Sequence, residues 1–171
     1  MKADIKELLE EIFPPFPLGD NHSLFECDFL DSERRYFEDV DDDYLSRRGL
    51  SEETLILKYR PPYWPEFYCK VGLEAIRSRS RAQEGIKTWK DVGYEYLYYF
   101  GINCWLLSSE GFKFFLPAAF YYFLSAGEDK PYYMDFFIFR FDSSQWEEDC
   151  DVFNDDQKNF IREFIEKHYP D

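Results

Sequence analysis

Between residues 89 and 123, 14 of 35 side chains are aromatic, against 22% for the whole chain. A stretch so dense in rings has to be covered on most of its sides, so it marks where the core forms. Within it, Ser108 or Ser109 caps a helix running through Phe112 and Phe115. Pro117 removes a backbone donor and crowds the carbonyl of Lys113, which predicts a kink or restart before Phe120 and Leu124. The longest nearly uncharged aromatic run, residues 114–124, is eleven residues and includes that proline. A membrane-spanning helix needs roughly 20 apolar residues, so none is expected.

Elements on either side of this core read from periodicity. Ile5, Leu8, Leu9 and Ile12 recur at helical spacing, with Glu7, Glu10 and Glu11 on the opposite face and Pro14-Pro15 as the stop. Phe25, Cys27 and Phe29 alternate with Glu26 and Asp28, which reads as a short strand over 24–29. Ser32 precedes a helix over 33–40, a further helix opens at Ser51 and ends at Pro61-Pro62, and Pro65 starts another through Phe67, Val71, Leu73 and Ile76. Residues 132–141, rich in aromatic side chains with Asp135 and Arg140 on opposite faces, read as a strand that would pair with 24–29. At the end, Asn154 and Gln157 form a capping-box pattern ahead of a stripe of Phe160, Ile161, Phe164 and Ile165 that reaches His168. With no Gly/Ser linker and no internal repeat, the expected architecture is an α+β, predominantly helical single domain over residues 1–171 with a small sheet. Its acidic part spans 1–87, and its aromatic helical core spans 88–171.

Charge narrows the partner class. The chain holds 35 acids against 20 cations, a net charge of −15. Residues 1–57 carry a net −10, residues 58–90 a net +5, residues 91–141 a net −3 and residues 142–171 a net −7. Such a surface repels nucleic acid and anionic membrane and attracts basic protein faces. Two runs stand out. Glu38, Asp39, Asp41, Asp42 and Asp43 crowd around Val40, either as a solvated loop or as a pad for a Lys/Arg-lined surface. Glu147, Glu148, Asp149 and Asp151, followed by Asp155 and Asp156, lie between Trp146 and Phe153. Acids flanked by aromatic anchors have the composition of an interface hot spot; the competing reading places Trp146 in the core and uses Asp155 and Asp156 to start the last helix. The order of these acids, with no turn glycine, does not fit a calcium loop.

Catalytic patterns are weak. His22 and His168 sit near opposite ends, and no G-x-S-x-G, H-E-x-x-H or P-loop pattern occurs. Nothing marks Cys27 with His22 as a nucleophile and base, and with 35 acids a carboxylate pair for glycoside hydrolysis arises by chance. Cys27, Cys69, Cys104 and Cys150 lack zinc spacing and read as reduced, packed thiols of an intracellular chain. No metal or cofactor is called for. The basic block over 58–90, with Arg77, Arg79 and Arg81, reads as a solvated face paired with the chain's own acids rather than as a direct nucleic-acid site.

Trp89, the segment Leu107-Ser108-Ser109-Glu110-Gly111-Phe112-Lys113-Phe114-Phe115-Leu116-Pro117-Ala118 and the closing Gln157, Ile161, Phe164 stripe resemble a bacterial family of small proteins of unknown function. Its pattern is a tryptophan, then L-S-x-E-G-F-x-F-x-L-P-A, then an amphipathic helix, and the likeness covers residues 88–166. The resemblance implies a helical frame and brings no catalytic residues. In size and charge such proteins resemble the immunity proteins that neutralise toxins. The expectation is therefore a cytoplasmic, non-enzymatic inhibitor or immunity-type protein that blocks a basic protein partner. A DNA mimic or regulatory binding module is the alternative, and an unrecognised hydrolase comes third.

Overall fold

The helix at the centre, Ser109–Ser125, buries Phe112, Phe114, Phe115, Leu116, Ala118, Ala119, Phe120 and Phe123. A helix apolar around its whole circumference has to run through a core rather than along a surface. The computed structural model describes residues 4–27, 85–127 and 129–170. The predicted helices over 33–40, from Ser51 and from Pro65, and the basic segment up to residue 84, lie outside them. In chain order the described α-helices are α1 (Ile5–Ile12), α2 (Tyr94–Phe100), α3 (Ser109–Ser125), α4 (Met134–Phe141), α5 (Gln145–Asp149) and α6 (Asp155–His168). Short 3-10 helices cover Trp89–Asp91, Gly101–Leu106 and Cys150–Val152. Ser108 caps α3, its hydroxyl accepting from the Gly111 N–H at 3.1 Å, and a single helix continues through Pro117.

Two distant segments close off the end of α1. Asp4 caps its start, and Leu9 is fully buried. At its other end the carbonyls have no helical acceptor role left to fill and need outside donors. The Trp89 indole N–H donates to the Phe13 carbonyl at 2.9 Å, and the Gln157 amide donates to the Ile12 carbonyl at 3.0 Å. Gln157 also closes the α6 capping box, accepting from Asn154 N–H (3.1 Å) while Asn154 accepts from Gln157 N–H (2.9 Å). The stripe on α6 docks as its spacing predicts: the Phe164 ring lies 4.5 Å from Phe120 and 5.0 Å from Phe123.

On the other flank, α4 packs closely on the Gly101–Leu106 helix. A Cβ at Gly101 would stand 3.0 Å from Tyr133 Cβ, so glycine sets how near the two segments come. Buried residues from α1, α2, α3, α4, α6 and the first two 3-10 helices form one hydrophobic cluster, with Trp146 and Val152 packed against it.

The small sheet is not there: among the described residues there is no strand. Residues 24–27 are helical. The Ser23 N–H donates to Glu26 Oε2 (2.7 Å) and the Glu26 N–H to Ser23 Oγ (3.2 Å), a reciprocal start signal that outweighs a short alternation. The supposed strand over 132–141 is α4. Met134, Phe137, Ile138 and Phe141, spaced i, i+3, i+4, i+7, are the residues it buries. Arg140 is buried with them, and Asp135 is exposed.

Candidate interaction surface

Helix α5 presents the second acidic run. Glu147, Glu148 and Asp151 are exposed, as are Asp155 and Asp156 in the first turn of α6, and none of the five is in an ion pair among the described residues. Asp155 and Asp156 also lie at the favourable end of the α6 dipole, so they have a structural role as well. Trp146 is half-buried. Its ring meets Phe141 edge-on at 4.9 Å and lies 5.6 Å from Phe153, so one side belongs to the core. Trp146 also lines a groove of about 390 Å³ between α4, α5 and α6, together with Phe141, Ile161 and Ile165 and the charged Asp142, Lys158, Arg162 and Glu166.

Asp149 is turned the other way. It is fully buried and accepts from Arg140 Nε at 2.5 Å and Nη2 at 2.7 Å, so it offers no carboxylate to a partner. Arg140 also donates to the Cys104 carbonyl, and its guanidinium lies 4.4 Å from the Phe112 ring centre. This one side chain ties α4, α5, α3 and the Gly101–Leu106 helix together, and it fixes the face of α5 on which Asp149 points inward while Glu147 and Glu148 are exposed. The first acidic run, Glu38, Asp39, Asp41, Asp42 and Asp43, lies outside the described residues.

Nucleophile chemistry finds little support in the surroundings of the described thiols. Cys27 and Cys104 are buried, and burial pushes the Cys104 thiol far above its ordinary range. Among the described residues no group of His, Cys, Asp and Glu is placed to hold a metal ion, and no helix is long and apolar enough to cross a membrane.

One surface escaped the sequence reading altogether. The ring-rich segment taken as core has an outside: Tyr94, Tyr98, Tyr99, Ile102, Trp105 and Leu106 are exposed, joined by Tyr132 and Phe139. Trp105 is 61% exposed and Phe139 65%. The rings of Tyr94 and Tyr98 lie 6.2 Å apart, and Tyr98 meets Tyr99 and Tyr132 at 5.4 Å each. Spacing held a clue, because Ile102 and Trp105, three residues apart, share one side of the 3-10 helix Gly101–Leu106. Compared with protein-family models, with curated proteins and with solved structures, the chain matches none.

Proposed function

We propose that this protein is a non-enzymatic acidic binding protein of the inhibitor or immunity type, which covers a basic surface of a protein partner. One observation carries the reading. Five outward carboxylates, Glu147, Glu148, Asp151, Asp155 and Asp156, have no cation of the described residues within ion-pair distance, and Glu147 and Glu148 directly follow a half-buried Trp146 on α5. Acids that stabilise a fold by pairing are satisfied internally. Acids left to solvent around an aromatic side chain raise the association rate and select the charge of the partner. The net charge of −15 extends that field over the whole molecule. The buried free thiol of Cys104 suits a reducing compartment, so we place its action in the cytoplasm.

The test is kinetic. Glu147→Gln, Glu148→Gln and Asp151→Asn together should slow association with a basic protein partner and flatten its salt dependence, because steering is screened beyond a Debye length of about 8 Å. His22→Gln with His168→Gln should leave the biological effect intact. Competition by duplex DNA for several DNA-binding proteins would instead favour a DNA mimic. Wild-type association rates and salt dependence in the neutralised variant would remove the basis of the proposal.

A further inference from the structure

The exposed aromatic face built by α2, the Gly101–Leu106 helix and α4 is a poor surface for a chain that has no use for it. Eight large apolar side chains are left to water there: Tyr94, Tyr98, Tyr99, Ile102, Trp105, Leu106, Tyr132 and Phe139. Large apolar side chains left exposed on packed elements, here with Tyr98 in ring contact with Tyr94, Tyr99 and Tyr132, mark an interaction site far more often than isolated exposed residues do. Its composition is that of interface centres, where Tyr, Trp and Phe supply contact area with few rotors to immobilise. The face is also preorganised. Gly101 lets Tyr133 and α4 approach to van der Waals contact, Arg140 donates to the Cys104 carbonyl from beneath, and the Tyr132 hydroxyl donates to the Tyr98 carbonyl across the seam.

Charge selects the occupant. Residues 94–106 and 132–139 contain Glu95 and Asp135 and no lysine or arginine. The face of an aromatic ring is itself electron-rich and draws cations, arginine above all. A second copy of the chain would set two such cation-free faces, each on a body of charge −15, against one another with nothing to neutralise them.

We propose that this aromatic face is the seat of the partner, taking an arginine- and lysine-bearing amphipathic segment whose apolar side chains pack on Trp105 and Phe139 and whose cations lie over the tyrosine rings beside Glu95. The inference rests on the basic-partner reading above and adds where that partner sits. In this division the acidic run on α5 steers the encounter, and the aromatic face holds the complex.

A fluorescein-labelled amphipathic helical peptide of leucine and arginine, with a leucine and glutamate peptide as control, tests this by anisotropy with the full chain. The arginine peptide is expected to bind, and the glutamate peptide to bind far more weakly. Trp105→Ser with Phe139→Ser should weaken the arginine peptide at least about tenfold, mainly through faster dissociation, with the thermal unfolding curve unchanged. Tyr132→Arg, which puts a cation in place of a ring of the face and of its hydrogen bond to the Tyr98 carbonyl, should weaken it as well. Neutralising Glu147, Glu148 and Asp151 should change the association rate alone. If the arginine peptide binds and neither face variant changes its affinity, the seat lies elsewhere and only this inference fails. If no form binds it, the basic-partner reading fails too. A wild-type dimer in sedimentation that the double serine variant dissociates would overturn the proposal in favour of a second copy.

Discussion

The Asp149 carboxylate and the Arg140 guanidinium form a two-pronged pair at 2.5 and 2.7 Å, nine residues apart in sequence and with neither side chain reaching solvent. The third nitrogen of the guanidinium goes to the Cys104 carbonyl, so the charge is both paired and hydrogen-bonded. Removing one member of such a pair leaves the other charged and desolvated. Asp149→Asn is therefore expected to cost about 3–5 kcal/mol in denaturant unfolding, whereas the double replacement Arg140→Met with Asp149→Leu should cost clearly less. Equal losses in the single and double variants would show that geometry, and not the stranded charge, is what matters.

Phe164→Ala empties a ring site lined by Phe120 and Phe123. It should lower stability by about 3–5 kcal/mol, read as a shift of the unfolding midpoint at unchanged slope. An unaltered midpoint would mean that α6 does not depend on this contact for docking.

Gly101→Ala places a methyl group 3.0 Å from Tyr133 Cβ, with backbone-bound atoms on both sides and little room to yield. The overpacking is expected to cost about 1–3 kcal/mol. Because the same contact aligns the two halves of the aromatic face, the arginine peptide should lose affinity even where the variant stays folded. Full affinity in a destabilised variant would separate the face from this contact.

Tyr133→Phe runs against the usual cost of trimming a buried residue. The hydroxyl is fully buried, has no hydrogen-bond partner among the described residues, and burial raises its pKa above the ordinary value. Since an unmade buried hydrogen bond costs about 1–3 kcal/mol, removing the oxygen should leave stability unchanged or improve it. A loss of more than about 1 kcal/mol would reveal a partner for that oxygen, such as a trapped water.

His168 gives the protein a pH dependence near neutrality. Burial against Phe123 and Phe164 lowers its pKa from the ordinary 6.5, and the charges of Lys167 and Lys130 add to this. The unfolded chain thus takes up the proton first. Stability from this residue is complete above 6.5 and is lost as pH falls from there through the folded value. Wild type should therefore unfold more easily at about pH 5.5 than at about pH 7.5, and His168→Gln should reduce that difference. An identical difference in the variant would place the effect on other groups.

Whatever could be decided by neighbours along the chain was legible without the fold. Helix α1 follows from its own spacing and its prolines, α6 from the Asn154–Gln157 box and its stripe, and the start of α3 from the Ser108-Ser109 pair, of which the fold uses Ser108 as the cap. The acidic run beside Trp146 was visible too, since charge needs no structure to be counted. Two misread elements carried usable signals: the Ser23–Glu26 pairing and the Met134, Phe137, Ile138, Phe141 spacing were present, but aromatic richness and a brief alternation favoured a strand. What tertiary packing alone decided is which side of each element meets water. Asp149 turns inward because Arg140 arrives from another helix to compensate its charge, while Trp105 and Phe139 stay 61% and 65% exposed although they belong to the ring-rich segments that build the core. Burial is a property of what lies opposite a residue, so no local pattern of residue types fixes it.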